Sequence, residues 1–157
     1  MAVPIFSNMS QEVGPEAYFT NALIREFERS RVARVTNKSE APVYIEGVIT
    51  GVGLEANSQV AANKGSGDLQ YLPRNTVINT GYRLVVHAQI KLVRSSDKEI
   101  IWKQNFTNQR VYSAPQVSVP TINSVNALYN NSAKNQNMKL LASDMMKEVH
   151  DRMTEKF

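Results

Sequence analysis

Between Tyr82 and Leu92 one parity of the chain is wholly apolar: Tyr82, Leu84, Val86, Ala88, Ile90 and Leu92. The other parity carries Arg83, His87, Gln89 and Lys91. Successive side chains of a strand point to opposite faces, so a two-residue period sustained this long defines a strand with one dry face and one wet face. Such a strand needs partners beside it and a layer over its dry face. Ser95-Ser96-Asp97-Lys98 reads as a hairpin connection, and Ile100, Trp102 and Phe106 against Lys103, Asn105 and Thr107 give the returning strand, to about Tyr112. Upstream, the segment from Val43 to Leu54 is β-branched and apolar nearly throughout, which predicts a strand covered in part on both faces. Gly47, Gly51 and Gly53 share a parity there and predict a helix in close approach, or bulges. Ala2 to Phe6 is the first strand candidate, closed by the turn-prone Ser7-Asn8.

The covering layer is also legible. Gly14-Pro15-Glu16 has the chemistry of a helix start, with proline at the first helical position and an acid in the first turn. Phe19, Ala22, Leu23 and Phe27 form one helical stripe, and the helix is expected to end near Ser30 or Arg31. Met138, Leu141, Ala142, Met145, Val149 and Met153 form a second stripe, with Val125, Leu128 and Tyr129 in helical spacing upstream among several asparagines, which are poor helix formers. The expected order is β-α-β-β-β-α. The fold class is α+β, a two-layer sandwich with two helices packed on one face of a small mixed sheet. No linker or repeat divides residues 1–157, so one domain is expected, with long loops at about 57–80 and 113–135.

Charge is spread unevenly. Residues 1–55 carry seven acids and five bases, residues 144–157 four acids and three bases, and residues 56–143 ten bases against Asp68, Asp97 and Glu99. A field of one sign over the middle of a chain favours an anionic partner, while a solvated basic face kept for solubility gives the same signature. No run of about 18 uncharged apolar residues is present, so no transmembrane helix is expected. With no cysteine there is no disulfide framework, thiolate metal site or cysteine nucleophile.

Catalytic chemistry finds no constellation. His87 falls on the polar parity of a strand and His150 off the apolar stripe of a helix, so both read as surface residues and neither supplies a metal-ligand spacing. Lys64-Gly65-Ser66-Gly67-Asp68 lacks the spacing and strand-loop-helix setting of a phosphate loop. RNA recognition on an open sheet uses aromatic platforms, whereas Arg83, Val85, His87, Gln89, Lys91, Lys103, Asn105, Thr107 and Gln109 include none. A non-enzymatic protein without cofactor or nucleic acid is expected.

Several stretches taken in order resemble the LptE type of lipopolysaccharide-assembly lipoprotein. These are Ala2-Val3-Pro4-Ile5-Phe6-Ser7-Asn8, Thr20-Asn21-Ala22-Leu23-Ile24-Arg25-Glu26-Phe27, Ile45-Glu46-Gly47-Val48-Ile49-Thr50, the strand from Tyr82 to Val93, Asp97-Lys98-Glu99-Ile100-Ile101-Trp102, and the last helix through Val149-His150-Asp151-Arg152-Met153. The resemblance implies a protein at the periplasmic face of the outer membrane, held by a lipidated N-terminal cysteine that this sequence lacks. It further implies a partner, the large outer-membrane β-barrel translocon of the LptD type, which such proteins plug in part and help to assemble, and contact with lipopolysaccharide. A different envelope lipoprotein of similar build, such as an activator of cell-wall synthases, is the alternative, and a nucleic-acid- or phosphate-binding module a further one. Independently of the resemblance, Lys64, Arg74 and Arg83 in or beside the loop joining the second and third strands, and Lys134 before the last helix, are the candidate contacts to glycolipid phosphates. Guanidinium and ammonium groups form charge-assisted hydrogen bonds with phosphate oxygens.

Overall fold

A computed structural model describes residues 1–61, 77–113 and 127–155. The elements are β1 (Ser7–Asn8), α1 (Pro15–Ser30), β2 (Val43–Ala61), β3 (Val77–Arg94), β4 (Ile100–Ser113) and α2 (Ala127–Thr154). They form the expected β-α-β-β-β-α sequence, with both helices on one face of a four-stranded mixed sheet of order β1-β2-β3-β4. β1 runs parallel to β2 and the remaining pairs are antiparallel.

The first strand is shifted from its expected place. Ala2 makes only an isolated bridge to Tyr44, while Ser7 and Asn8 pair with Val48 and Ile49. Phe6 explains the shift. Its backbone N–H donates to Thr20 Oγ1 at 3.0 Å and its ring is buried against Gly47, so the chain around it serves as an anchor to α1 and β2. Asn8 continues the anchoring: its amide donates to Glu12 O at 2.6 Å and to Glu16 Oε2 at 3.0 Å, and its Oδ1 accepts from Ser10. A side chain that satisfies local backbone and neighbouring polar groups can hold an irregular segment nearly as a turn would.

α1 opens after Gly14, whose φ of 95° suits glycine, and Pro15 follows in the first turn. It closes at Arg31 in the left-handed region, whose N–H bonds back to Phe27 O at 3.0 Å. Its stripe of Phe19, Leu23 and Phe27 is buried against α2, where Met138, Leu141, Met145, Met146, Val149 and Met153 answer it. Burying a side chain of that size contributes about 1.5–3 kcal/mol, and methionine fills the irregular gaps between the layers. From β3 and β4, Leu84, Val86, Ala88, Ile90, Leu92, Trp102 and Phe106 complete the core, on the parities the alternation predicts.

Three sequence expectations need correction. The strands run beyond their expected ends into the segment read as loop, since β2 reaches Ala61, β3 starts at Val77, and Ala61 pairs with Val77. α2 begins at Ala127, so its asparagine-rich first turns are helical and Lys134 lies within the helix. The three β2 glycines do not share a face. A bulge at Thr50, between the pairs Ile49–Ala88 and Gly51–His87, switches the parity. Gly47 therefore faces the core, and Gly51 and Gly53 face outward opposite His87 and Val85.

Candidate functional site

The face of the sheet away from the helices is built in rows. Glu46, Lys91 and Lys103 stand in register, followed by Val48, Gln89 and Asn105, then Gly51, His87 and Thr107, then Gly53, Val85 and Gln109, then Glu55, Arg83 and Val111. Its middle is an amide and hydroxyl surface whose members pair across β3 and β4. Gln89 Nε2 donates to Asn105 Oδ1 at 2.9 Å, and His87 Nδ1 lies 2.9 Å from Thr107 Oγ1. The aromatic residue that sequence reasoning missed on this face is Tyr44, which the alternation of β2 places beside Val93. It is only 5% exposed, packed with Ala2, Ala41 and Val93 in a small second core.

The sheet has two unlike ends. At one end lie the β3–β4 hairpin, the start of β2, the C-terminal ends of both helices and Met1. At the other lie Ala61 and Val77 of β2 and β3, Ser113 of β4, the first turns of α2 and the segment around Glu12. The segments 62–76 and 114–126 both leave from this second end.

Of the candidate phosphate contacts, Lys64 and Arg74 lie outside the described residues. Arg83 stands on the open face near the second end, where its Nη2 donates to Asn57 Oδ1 at 3.0 Å and its Nε is buried without a hydrogen-bond partner. Lys134 is on the other side of the sheet. Its Nζ donates to Glu12 Oε2 at 2.8 Å, with the lysine side chain 20% exposed, so it ties α2 to the chain ahead of α1. Arg83 and Lys134 thus share an end of the molecule and not a face. On the same side of the sheet the Tyr82 and Tyr112 rings lie tilted by 32° with centroids 5.8 Å apart. Burial, with smaller contributions from Tyr82 and Glu12, raises the Tyr112 hydroxyl above the usual tyrosine range. Arg110 reaches from β4 to Asn137 Oδ1 at 3.0 Å and to Asp144 Oδ2 at 3.3 Å on α2.

His87 is an exposed member of the open face, as expected. His150 is not a surface residue. It is 8% exposed, edge-on to Phe27 with ring centroids 5.0 Å apart, and its Nε2 lies 2.8 Å from Ser30 Oγ. Its position off the methionine stripe turns it toward the end of α1, a contact that the stripe of α2 alone does not reveal. Among the described residues no group of three His, Cys, Asp or Glu side chains could hold a metal ion, and no helix is long and apolar enough to cross a membrane.

The fold is similar to that of several bacterial proteins of known structure, lipoproteins among them. A rare lipoprotein B from Shewanella oneidensis superposes with a TM-score of 0.54 at 13% identity, covering 99% of this chain and 96% of that one. A hypothetical protein from Chlamydia trachomatis gives 0.57 at 8% identity, covering 97% and 93%. A minor lipoprotein from Acinetobacter baumannii gives 0.52 at 9% identity, covering 96% and 92%. None of the curated proteins matches the sequence. The model of the LptE family, described as lipopolysaccharide-assembly, matches residues 1–157, and the chain belongs to that family.

Proposed function

We propose that this protein is a non-enzymatic accessory lipoprotein of lipopolysaccharide assembly, working at the periplasmic face of the outer membrane. It docks in the lumen of a large outer-membrane β-barrel translocon, assists the assembly of that barrel, and meets lipopolysaccharide as it passes to the outer leaflet. The observation that carries the reading is the family match over the full 157 residues. Two structural features support it. The open face is neutral and polar in its middle, with its amides and hydroxyls paired, which suits the polar interior of a transmembrane barrel. Arg83 also lies at the end from which the segment carrying Lys64 and Arg74 departs, with Lys134, paired to Glu12, at the same end on the other side of the sheet, so basic groups gather where glycolipid phosphates would be met.

The test is to tag the full-length gene product, extract outer membranes in mild detergent and identify what co-purifies. One large β-barrel protein in near-equal amount is the expected result. Recovery of a cell-wall enzyme, or of no partner, overturns the barrel reading. Replacing Lys64, Arg74, Arg83 and Lys134 together by glutamine should weaken lipopolysaccharide binding and flatten its salt dependence. Unchanged binding would remove them as the contact.

A further inference from the structure

At the hairpin end of the open face four lysines gather that make no salt bridge among the described residues. Lys38 Nζ lies 4.3 Å and Lys98 Nζ 5.4 Å from the centroid of the same Tyr44 ring. One row along, Lys91 and Lys103 stand directly opposite each other on β3 and β4, with Glu46 on the far side of Lys91. Of the acids at this end, Asp97 and Glu99 are taken by Arg94 Nη1 at 2.9 and 2.5 Å, Glu40 accepts from Thr36 Oγ1 at 3.2 Å, and Glu46 stands beside Lys91 on β2.

Lys91 and Lys103, directly opposite on paired strands, repel each other, and Glu46 stands opposite Lys91 only. Lys98 sits at φ 62°, the left-handed position that closes the hairpin turn, with its N–H donating to Arg94 O and its Nζ to Ser95 O, each at 3.1 Å, so the turn holds its ammonium at this end. The chain start lies at the same end: Ala2 bridges Tyr44 and the Met1 ammonium donates to Arg34 O at 2.8 Å. The lysines spread over a sheet face and a turn rather than around a cavity. Two surface depressions among the described residues, of about 350 and 430 Å³, are lined by residues of α1, α2 and the segment after α1, and by none of the four.

We propose that this lysine-lined end is a docking surface for an anionic phospholipid bilayer. Four ammonium groups in a shallow array match a layer of phosphates better than one enclosed anion, and the two held over Tyr44 are prepositioned for it. Lysines near an anionic bilayer each contribute about fivefold in partitioning. The proposal stands whether or not a barrel partner exists, and it concerns phospholipid, so vesicles free of lipopolysaccharide separate it from the reading above.

The experiment is co-sedimentation of the 157-residue chain with vesicles of phosphatidylcholine alone, or mixed with phosphatidylglycerol. Binding is expected to the mixed vesicles only, falling as salt rises. K38Q/K98Q and K91Q/K103Q should each lower it by roughly 25-fold. K38R/K98R should retain it, and K139Q/K147Q, which removes the same charge from α2, should change it little. Circular dichroism and thermal melting confirm that each variant is folded. Equal binding to neutral vesicles, or an equal loss in the α2 variant, overturns the proposal by reducing the effect to hydrophobic adsorption or net charge. Displacement by millimolar inorganic phosphate also overturns it, in favour of a free-phosphate site.

Discussion

Gly47 carries the sharpest stability prediction in the molecule. A Cβ built there would meet Phe6 Cδ1 at 2.5 Å, with Cδ2 and Cε2 closer still, so it strikes the face of the ring rather than its rim. Ordinary carbon contacts begin near 3.5 Å, so the ring would have to move by roughly 1 Å. It has little freedom to do so, being 3% exposed and tied through its own N–H to Thr20 on α1. Overpacking of this kind costs about 1–3 kcal/mol, and complete expulsion of the ring would cost no more than a Phe-to-Ala change, about 3–5 kcal/mol. G47A should therefore destabilise by about 2 kcal/mol, a fall in melting temperature of roughly 4–8 °C for a chain of this size. Gly53, with nothing within 4 Å of an added Cβ, is the control. G53A should be neutral or stabilising by a few tenths of a kcal/mol. Urea denaturation of G47A, G53A, F6A and G47A/F6A measures the terms. In the F6A background the added methyl enters space the ring has left, so the penalty should vanish or change sign, a coupling of about 2 kcal/mol. Equal effects of G47A and G53A, or an undiminished G47A penalty without Phe6, would refute the close-approach argument.

Other expectations follow from single contacts. Thr20 Oγ1 accepts the Phe6 N–H and donates to Glu16 O at 2.6 Å, so Thr20→Val should strand a buried donor at a cost of about 1–3 kcal/mol, while Thr20→Ser should restore most of the loss; hydrogen exchange at the Phe6 amide should accelerate in the first and not in the second. Because burial raises the Tyr112 hydroxyl, the folded state holds that proton at pH values where the unfolded chain has released it. Its contribution is then complete below the ordinary tyrosine value near 10 and is lost as pH rises through the folded value, so alkaline melting curves should show a loss that Tyr112→Phe removes. Lys98→Gly should relieve the left-handed strain and stabilise the fold by about 1 kcal/mol in urea titrations, while weakening anionic-vesicle binding; loss of stability would show that the turn is not strained.

The architecture was legible where periodicity was unambiguous and blurred where a single residue resets it. The run from Tyr82 to Leu92 has one side-chain period and one covered face, and its core parity appears unchanged in the fold. In β2 the bulge at Thr50 leaves no mark in an apolar, β-branched run, so parity alone predicts one face for glycines that lie on two. The ends of β2 and β3 carry no strand signal of their own because pairing there is set by the neighbouring strand rather than by local propensity. The first turns of α2 failed for a related reason: Asn130, Asn131 and Asn135 are poor helix formers, and tertiary contacts such as Lys134 to Glu12 outweigh that preference. The lysine-rich end was invisible for a topological reason. Lys38 and Lys98 are 60 positions apart and meet only because both reach one tyrosine.

Strand length connects the two ends. At about 3.3 Å per residue, the 18 residues of β3 reach roughly 60 Å, whereas at 1.5 Å each the 16 residues of α1 reach only about 24 Å and the 28 of α2 about 42 Å. The helical layer therefore backs the sheet unevenly, and α1 leaves the β2–β3 arm uncovered beyond its first turn, where Leu54 is 45% exposed. A molecule seated in a barrel with its lysine end at the periplasmic rim, level with the phospholipid headgroups, would hold Arg83, eight strand residues from Lys91, roughly 26 Å deeper, comparable with the roughly 30 Å of a bilayer's hydrocarbon core. That division of labour needs the polar middle of the open face to be tolerated in between, and a barrel lumen is a place at bilayer depth that tolerates amides and hydroxyls. The phospholipid and barrel readings thus constrain each other. With the lysine end fixed at the inner membrane surface, crosslinkers placed at residues 105 and 107 should reach barrel strands, and crosslinkers on α1 near Arg25 should reach them far less often.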